Sequence, residues 1–241
     1  MSWAEACAPS SPLHRRSAPT IVTMLPTDGD TRDGLRLLRR FSEATLQYHE
    51  RRSEVKFVVD GQTGELVLPA EPGFAGEVGG HDAVLHMPDE VQRHLQLSVT
   101  AARIARPEAE EAVDRWHAYH AAGGSGSKPP VRAWLRCTID GGKAPHSPPP
   151  GEVYSPESLA QPNPLRRAEF RLVKAFNADR AGLARLCRAR TRVEVADPLC
   201  VGVDAFGIDV RARFGIVRVE FDLEAASAEQ AEACVKAMLE R

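Results

Sequence analysis

The sequence predicts an α+β protein built in two parts, and three observations predict it. Apolar residues alternate with a period of two in four separate stretches of the first 140 residues. Helical patterns with matching start and stop residues flank those stretches. A breaker-dense segment, "GGKAPHSPPPGEVYSPESLAQPNP" (141–164), then divides the chain, and beyond it the order reads α-α-β-β-β-α. The expected organisation is a tail over 1–28, a first domain over 29–150, a Pro-rich linker over 151–163 and a second domain over 164–241.

Residues 1–28 are rich in Ser, Pro and Ala without periodicity. From Thr31 the pattern is helical: Leu37, Leu38, Phe41, Thr45 and Tyr48 share a face, and the helix is expected to fade near Arg51 and Arg52. "EVKFVVDGQTGELVLPAE" then reads as two strands around a turn at Asp60 to Gly64. "HDAVLHMPDE" and "HLQLSVTAARIA" are two more. "RPEAEEAVDRWHAYHAAGG" is a helix: Pro107 opens it, Glu108, Glu110 and Glu111 suit its first turn, and Gly123 stops it. Ala109, Ala112, Val113, Trp116 and His120 form its buried stripe. "VRAWLRCTID" closes the first sheet.

In the second part Asn163 is an expected N-cap, with Pro164 at the first helical position. Leu165, Leu172, Val173 and Phe176 give this helix its apolar face. Asn177 is expected to end it and cap the next helix, whose face is Leu183, Leu186 and Cys187. "CVGVDAFGIDVRARFGIVRVEF" follows as three short strands with Gly207 and Gly215 at the turns, and a last helix runs from about Ser227 to Leu239. Asp204 falls at a strand end, where a carboxylate accepts backbone N–H bonds. Asp209 is expected to face solvent or a helix edge, so the two aspartates read as turn residues rather than as a catalytic pair.

Composition narrows the function classes. The 241 residues carry a formal net charge of −2, which gives no overall drive toward nucleic acid or anionic lipid. Five scattered cysteines (Cys7, Cys137, Cys187, Cys200, Cys234) form no CxxC pair, so neither a zinc ribbon nor a disulfide framework is expected. No eighteen-residue apolar run occurs, and the N-terminal stretch lacks an apolar signal core; a cytoplasmic protein is expected. His117 and His120 lie three apart on one helix but near its end, where histidine is favoured without any metal. His81, His86 and His94 bracket one strand, with His86 turned away from Leu85 and Met87. Residues 165–192 hold nine Lys or Arg against Glu169 and Asp179, a basic face that suits solvent, haem propionates, a phosphate-bearing ligand or an acidic partner.

"AFNADRAGLARLC", followed by "CVGVDAFGIDVRA", "VRVEF" and a final helix, resembles the small C-terminal domain of HugZ-like haem-utilisation proteins. Asn177, Asp179 and Arg180 stand at the family's N-x-D-H segment, and Gly202, Asp204, Gly207 and Asp209 at its hairpin. "LQLSVTAARIARPEAEEAVDRWHAYH" and "WLRCTIDGGKA" resemble the pyridoxamine-phosphate-oxidase-like split β-barrel (FMN-binding-like) that partners this domain. The resemblance implies a split barrel followed by the α-α-β-β-β-α domain. It also implies homodimerisation, a role in iron utilisation, and haem as the cofactor ahead of FMN. It points to His146 and His86 as candidate haem ligands, and to Arg180, Arg171 and Lys174 as candidates for anionic groups.

The chain departs from the pattern at two places. Arg180 stands where the family has histidine, and no histidine follows His146. Only Lys56 and Thr63 answer to the flavin-phosphate set. The reading is therefore a haem-binding protein rather than a haem-degrading enzyme; the alternatives are an interaction protein without cofactor and a flavin-dependent oxidoreductase. Arg180 opens a helix, where the dipole disfavours a cation, so a contact with Asp204 or with an anion is expected.

Overall fold

The computed structural model describes residues 28–88, 94–105, 108, 110–120, 132–145 and 151–240. The first half is organised by one antiparallel sheet. Its strands are β1 (Glu43–Tyr48), β2 (Arg51–Lys56), β3 (Val58–Val59), β4 (Leu66–Ala70), β5 (His81–Met87), β6 (Leu95–Ile104), β7 (Ala133–Ala144) and β8 (Glu152–Tyr154). The order is β2-β1-β5-β6-β7-β4-β3, with β8 added on β7. β2 meets β4 across the open side, so the sheet curls into a half-barrel. Its filling comes from the alternation visible in the sequence: Leu85 and Met87 from β5, Leu95, Leu97 and Val99 from β6, and Leu135, Cys137 and Ile139 from β7 are all buried.

Helices α1 (Asp28–Leu38), α2 (Pro72–Val78) and α3 (Glu110–His120) pack on this sheet. The expected long helix stops at Leu38, and Glu43–Tyr48 is a strand paired with both β2 and β5. Ala44 and Leu46 are its buried residues, a period of two that the helical reading of Thr45 and Tyr48 overlooked. Backbone pairing to two neighbours outweighs a helical spacing that ran on by coincidence of residue type. α2 went unread because seven residues with two glycines carry almost no periodicity.

The segment 151–163, expected as a linker, carries β8 and the short helix α4 (Pro156–Leu159). Tyr154 and Leu159 are buried in the half-barrel's core. Ser155 caps α4 by accepting the Ser158 N–H.

Beyond residue 164 the elements are α5 (Arg166–Asn177), α6 (Arg180–Thr191), β9 (Leu199–Asp204), β10 (Gly207–Ala212), β11 (Gly215–Glu220) and α7 (Ala228–Leu239). The three strands form a separate antiparallel sheet, and Val203, Ile208, Val210, Val217 and Val219 meet Leu172, Leu183 and Leu186 of the helices in a second core. Asn163 accepts the Leu165 N–H as a cap would, though the helix proper starts at Arg166. The cap of α6 is Asp179, whose carboxylate accepts the Gly182 N–H. Asn177 instead braces β9, exchanging two 2.9 Å bonds with the backbone of Cys200.

Leu159→Ala tests whether 151–163 is packed structure. A buried Leu truncation costs about 2–5 kcal/mol, read as a loss of denaturant midpoint. A change within about 0.5 kcal/mol, as for an exposed site, would return the segment to the linker reading.

Candidate functional site

The second sheet has two dissimilar faces. One is apolar and covered by its own helices; the other turns toward the half-barrel and carries a row of polar side chains. Register places Gly202, Asp209 and Arg218 side by side across β9, β10 and β11. Arg218 is buried between the aspartates, with Nη2 donating to Asp204 Oδ1 at 2.5 Å and Nη1 to Asp209 Oδ1 at 3.1 Å. Asp204 also accepts the Phe206 N–H at 2.8 Å, the turn role expected of it. Asp209 does not face open solvent: it is largely covered, and Tyr119 of α3 donates its hydroxyl to Oδ2 at 2.7 Å. The alternation does put Asp209 on the outward side of its strand, but that side of the sheet meets protein rather than water.

α3 supplies the other half of the junction. Its apolar stripe faces the half-barrel, where Trp116 Nε1 donates to the Lys56 carbonyl and His120 Nε2 to that of Phe57. Four residues apart on its other side are Glu111, Arg115 and Tyr119. Glu111 pairs with Arg166, and Arg115 holds Glu169 through two bonds of 2.6 and 2.5 Å. Glu169 in turn accepts the Val203 N–H, and Asn163 donates to the Val203 carbonyl at 2.8 Å. These groups enclose a cavity of about 30 Å³, lined by Arg39, Arg115, Tyr119, Glu169, Asp204 and Asp209. It has room for a water molecule and none for an organic cofactor.

The electrostatics follow from burial against pairing. Burial alone would raise the Asp204 pKa, but the Arg218 and Arg39 charges outweigh it and hold the carboxyl below its usual range. Burial, reinforced by the Asp204 charge, pushes Asp209 up despite Arg218. Burial and the Asp209 charge raise Tyr119 well above an ordinary phenol. Burial opposes the charge on Arg115, yet its bidentate bond to Glu169 leaves it more firmly protonated than a free arginine. This is a neutralised ion cluster that joins two sheets, not an exposed acid–base pair.

An open cleft lies beside it. About 490 Å³ in volume, it is walled by Lys56, His120, Arg180, Arg211 and Arg213, with Asp197 as the carboxylate on its lining. Asp197 is occupied by Arg213 at 3.0 Å, and Lys56 pairs with Glu43. Arg211 donates to the Ala118 carbonyl at the end of α3. Arg180 makes no ion pair among the described residues; the expected contact with Asp204 is absent, since Arg180 lines this cleft while Asp204 lies outside its lining, paired with Arg218. Burial lowers the His120 pKa, so its ring is neutral at pH 7, and donation from Nε2 leaves the lone pair on Nδ1.

The residues singled out from the sequence are dispersed. His86 is buried in β5, bonded to Gln47 at 2.9 Å, on the wall of a different hollow of about 410 Å³. Arg171 pairs with Glu229 and Glu232 of α7. Lys174 is exposed on α5, and His146 lies outside the described residues. Of the described candidates for holding haem or its anionic groups, Arg180 alone lines the basic cleft. Arg211 is not among the sequence candidates, and His120 enters there only in the buried stripe and the histidine pair at the end of α3. Cys137 and Cys187 are buried hydrophobes as expected, with burial raising their thiols to about 12 and about 11.

Fold and site together define a class: a mixed α+β protein with a curled antiparallel half-barrel, joined through ion pairs to a smaller α+β unit. No family model matches the chain, and no curated protein does. Among solved structures it is similar to a protein of unknown function from Agrobacterium tumefaciens str. C58. That match has a TM-score of 0.64 at 16% identity and covers 92% of this chain and 100% of the other. This likeness shows the fold. It is also similar to a heme binding protein from Mycobacterium smegmatis (TM-score 0.44, 17% identity, 91% and 98% covered), a match too distant to carry an argument.

Two substitutions test the cluster. Asp204→Asn leaves Arg218 with Asp209 as its one carboxylate, through the longer 3.1 Å bond, and is expected to cost about 3–5 kcal/mol, the range for breaking a buried pair; Asp209→Asn, which keeps an acceptor for Tyr119, is expected to cost less. Because the Asp204 pKa is depressed, its contribution is complete above the ordinary value of 3.8 and is lost as pH falls below it. Acid melts of Asp204→Asn should lack that loss; an identical acid limb would refute the assignment. Separately, a methyl group at Gly202 would collide with the Tyr119 hydroxyl, so Gly202→Ala is expected to destabilise by about 1–3 kcal/mol.

Proposed function

We propose that the chain is a non-degrading ligand-binding protein that takes a small anionic ligand in the basic cleft, and that this ligand is haem. One observation carries the reading: four cationic side chains surround about 490 Å³ of open space with one carboxylate, itself already paired. Such a cleft is within the size range of small-ligand sites and concentrates an anion before contact. The residues present suit haem at three points. Arg180 and Arg211, neither paired with a described carboxylate, are the groups for two propionates. The Nδ1 lone pair of His120, with Nε2 anchored on a backbone carbonyl, is the arrangement of a metal-binding imidazole. Leu199 and Phe214 are the large apolar side chains available to the macrocycle.

When bound, haem supplies a redox-active iron and an intense Soret absorption. The protein's part is to hold the carboxylates and present a neutral imidazole. The lowered His120 pKa keeps that imidazole unprotonated below the ordinary value of 6.5. The resemblance of the C-terminal third to haem-utilisation proteins points the same way.

Hemin added to the purified protein between about pH 6 and 8 is expected to give a saturable one-to-one Soret shift. His120→Ala should move the Soret maximum. Arg180→Gln with Arg211→Gln should weaken binding and flatten its salt dependence. A featureless titration across that range would end the haem reading.

A further inference from the structure

We propose that a second surface, the groove between α3 and α5, docks a short acidic segment of a partner protein bearing an apolar side chain. The groove shares Leu199 with the basic cleft, but the proposal neither needs nor supports the haem reading. The groove holds about 450 Å³ and is floored by Ala118, Val173, Leu199 and Val201, with Phe170 at its edge. Phe170 is 83% exposed on α5, an unusual position for a phenylalanine beside an apolar hollow. The polar groups of the rim are already matched to one another, Glu111 with Arg166 and Arg115 with Glu169, so the unfilled part of the groove is its apolar floor.

The charge around Phe170 selects the occupant. Residues 165–192 carry nine cations. Arg166, Arg171, Arg185, Arg188 and Arg190 each have a carboxylate partner. Arg167 and Lys174 have none among the described residues, and they lie three residues before and four after Phe170, on its side of the helix. An exposed aromatic ring between two uncompensated cations, beside an apolar groove, is complementary to a segment that pairs acidic residues with an apolar anchor. The groove's volume suits a few side chains of such a segment rather than a domain face.

Fluorescence anisotropy tests this with a labelled peptide alternating glutamate with leucine and phenylalanine, against the same peptide with lysine for glutamate. The full chain should bind the acidic peptide and not the basic one. Phe170→Ala should weaken binding about tenfold, as for an interface anchor. Arg167→Gln with Lys174→Gln should weaken it and remove most of its salt dependence. None of these residues lines the haem cleft, so hemin titration of the variants should match the wild type, and failure of one proposal leaves the other standing. Phe170 is exposed, so unchanged thermal melts will exclude misfolding. No binding, equal binding of the two peptides, or indifference to Phe170→Ala would overturn the proposal. So would sedimentation showing a Phe170-dependent dimer, or flotation with phosphatidylserine vesicles that Phe170→Ala abolishes, which would give the surface to a second copy or to a membrane.

Discussion

The guanidinium of Arg218, buried between Asp204 and Asp209, is the constraint on which the junction depends. A lone buried arginine would carry a prohibitive desolvation cost, and two buried carboxylates would repel each other. Together, on adjacent positions of one hairpin sheet, they neutralise one another and leave hydrogen-bonding capacity for the other side. Tyr119 takes up part of that capacity, and only a residue without a side chain can lie beneath its hydroxyl, which is why Gly202 stands there. A planar fork with several donors serves two acids at once; a lysine at 218 would satisfy one.

From this contact the arrangement of α3 follows. The helix is shared by two cores: Ala112, Val113 and Trp116 are buried on the half-barrel side, while Glu111, Arg115 and Tyr119 reach the second unit. α1 and the turn after it repeat the device at a spacing of four, where Arg32 meets Glu224 and Arg36 and Arg40 meet Glu220. Those pairs are partly exposed and contribute little individually. Ion pairs demand defined geometry where apolar contacts tolerate sliding, so the junction orients the second unit against the barrel. Its open edges are the two hollows: the basic cleft past the end of α3 and the apolar groove along its flank.

Sequence reasoning succeeded where one element sets its own pattern. The alternation in β5, β6 and β7, the burial of Ala112, Val113 and Trp116 in the expected stripe of α3 (Ala109 lies outside the described residues) and the turn role of Asp204 all follow from local spacing. It failed where the partner decides. Thr45 and Tyr48 fit a helix until β5 offers backbone pairing. Asp209 is the outward residue of its strand, and its surroundings depend on α3 lying across the sheet. Arg180 was matched to Asp204 because both are in one unit and of opposite sign, but Arg218, directly across from Asp209 in the register, is nearer to both aspartates.

By itself the sequence determined the α+β class, most strand and helix positions, which faces are apolar, and the excess of cations on α5 and α6. These are properties of short-range periodicity and composition, each written within a dozen residues. Only the tertiary structure decided which acid meets which base, that His120 shares a cleft with Arg180 and Arg211, and that Phe170 stays uncovered beside a groove. Those outcomes depend on side chains far apart in the chain. The physical reason is that charge pairing and burial are set by what lies opposite in space, about which spacing along one strand or helix carries no information.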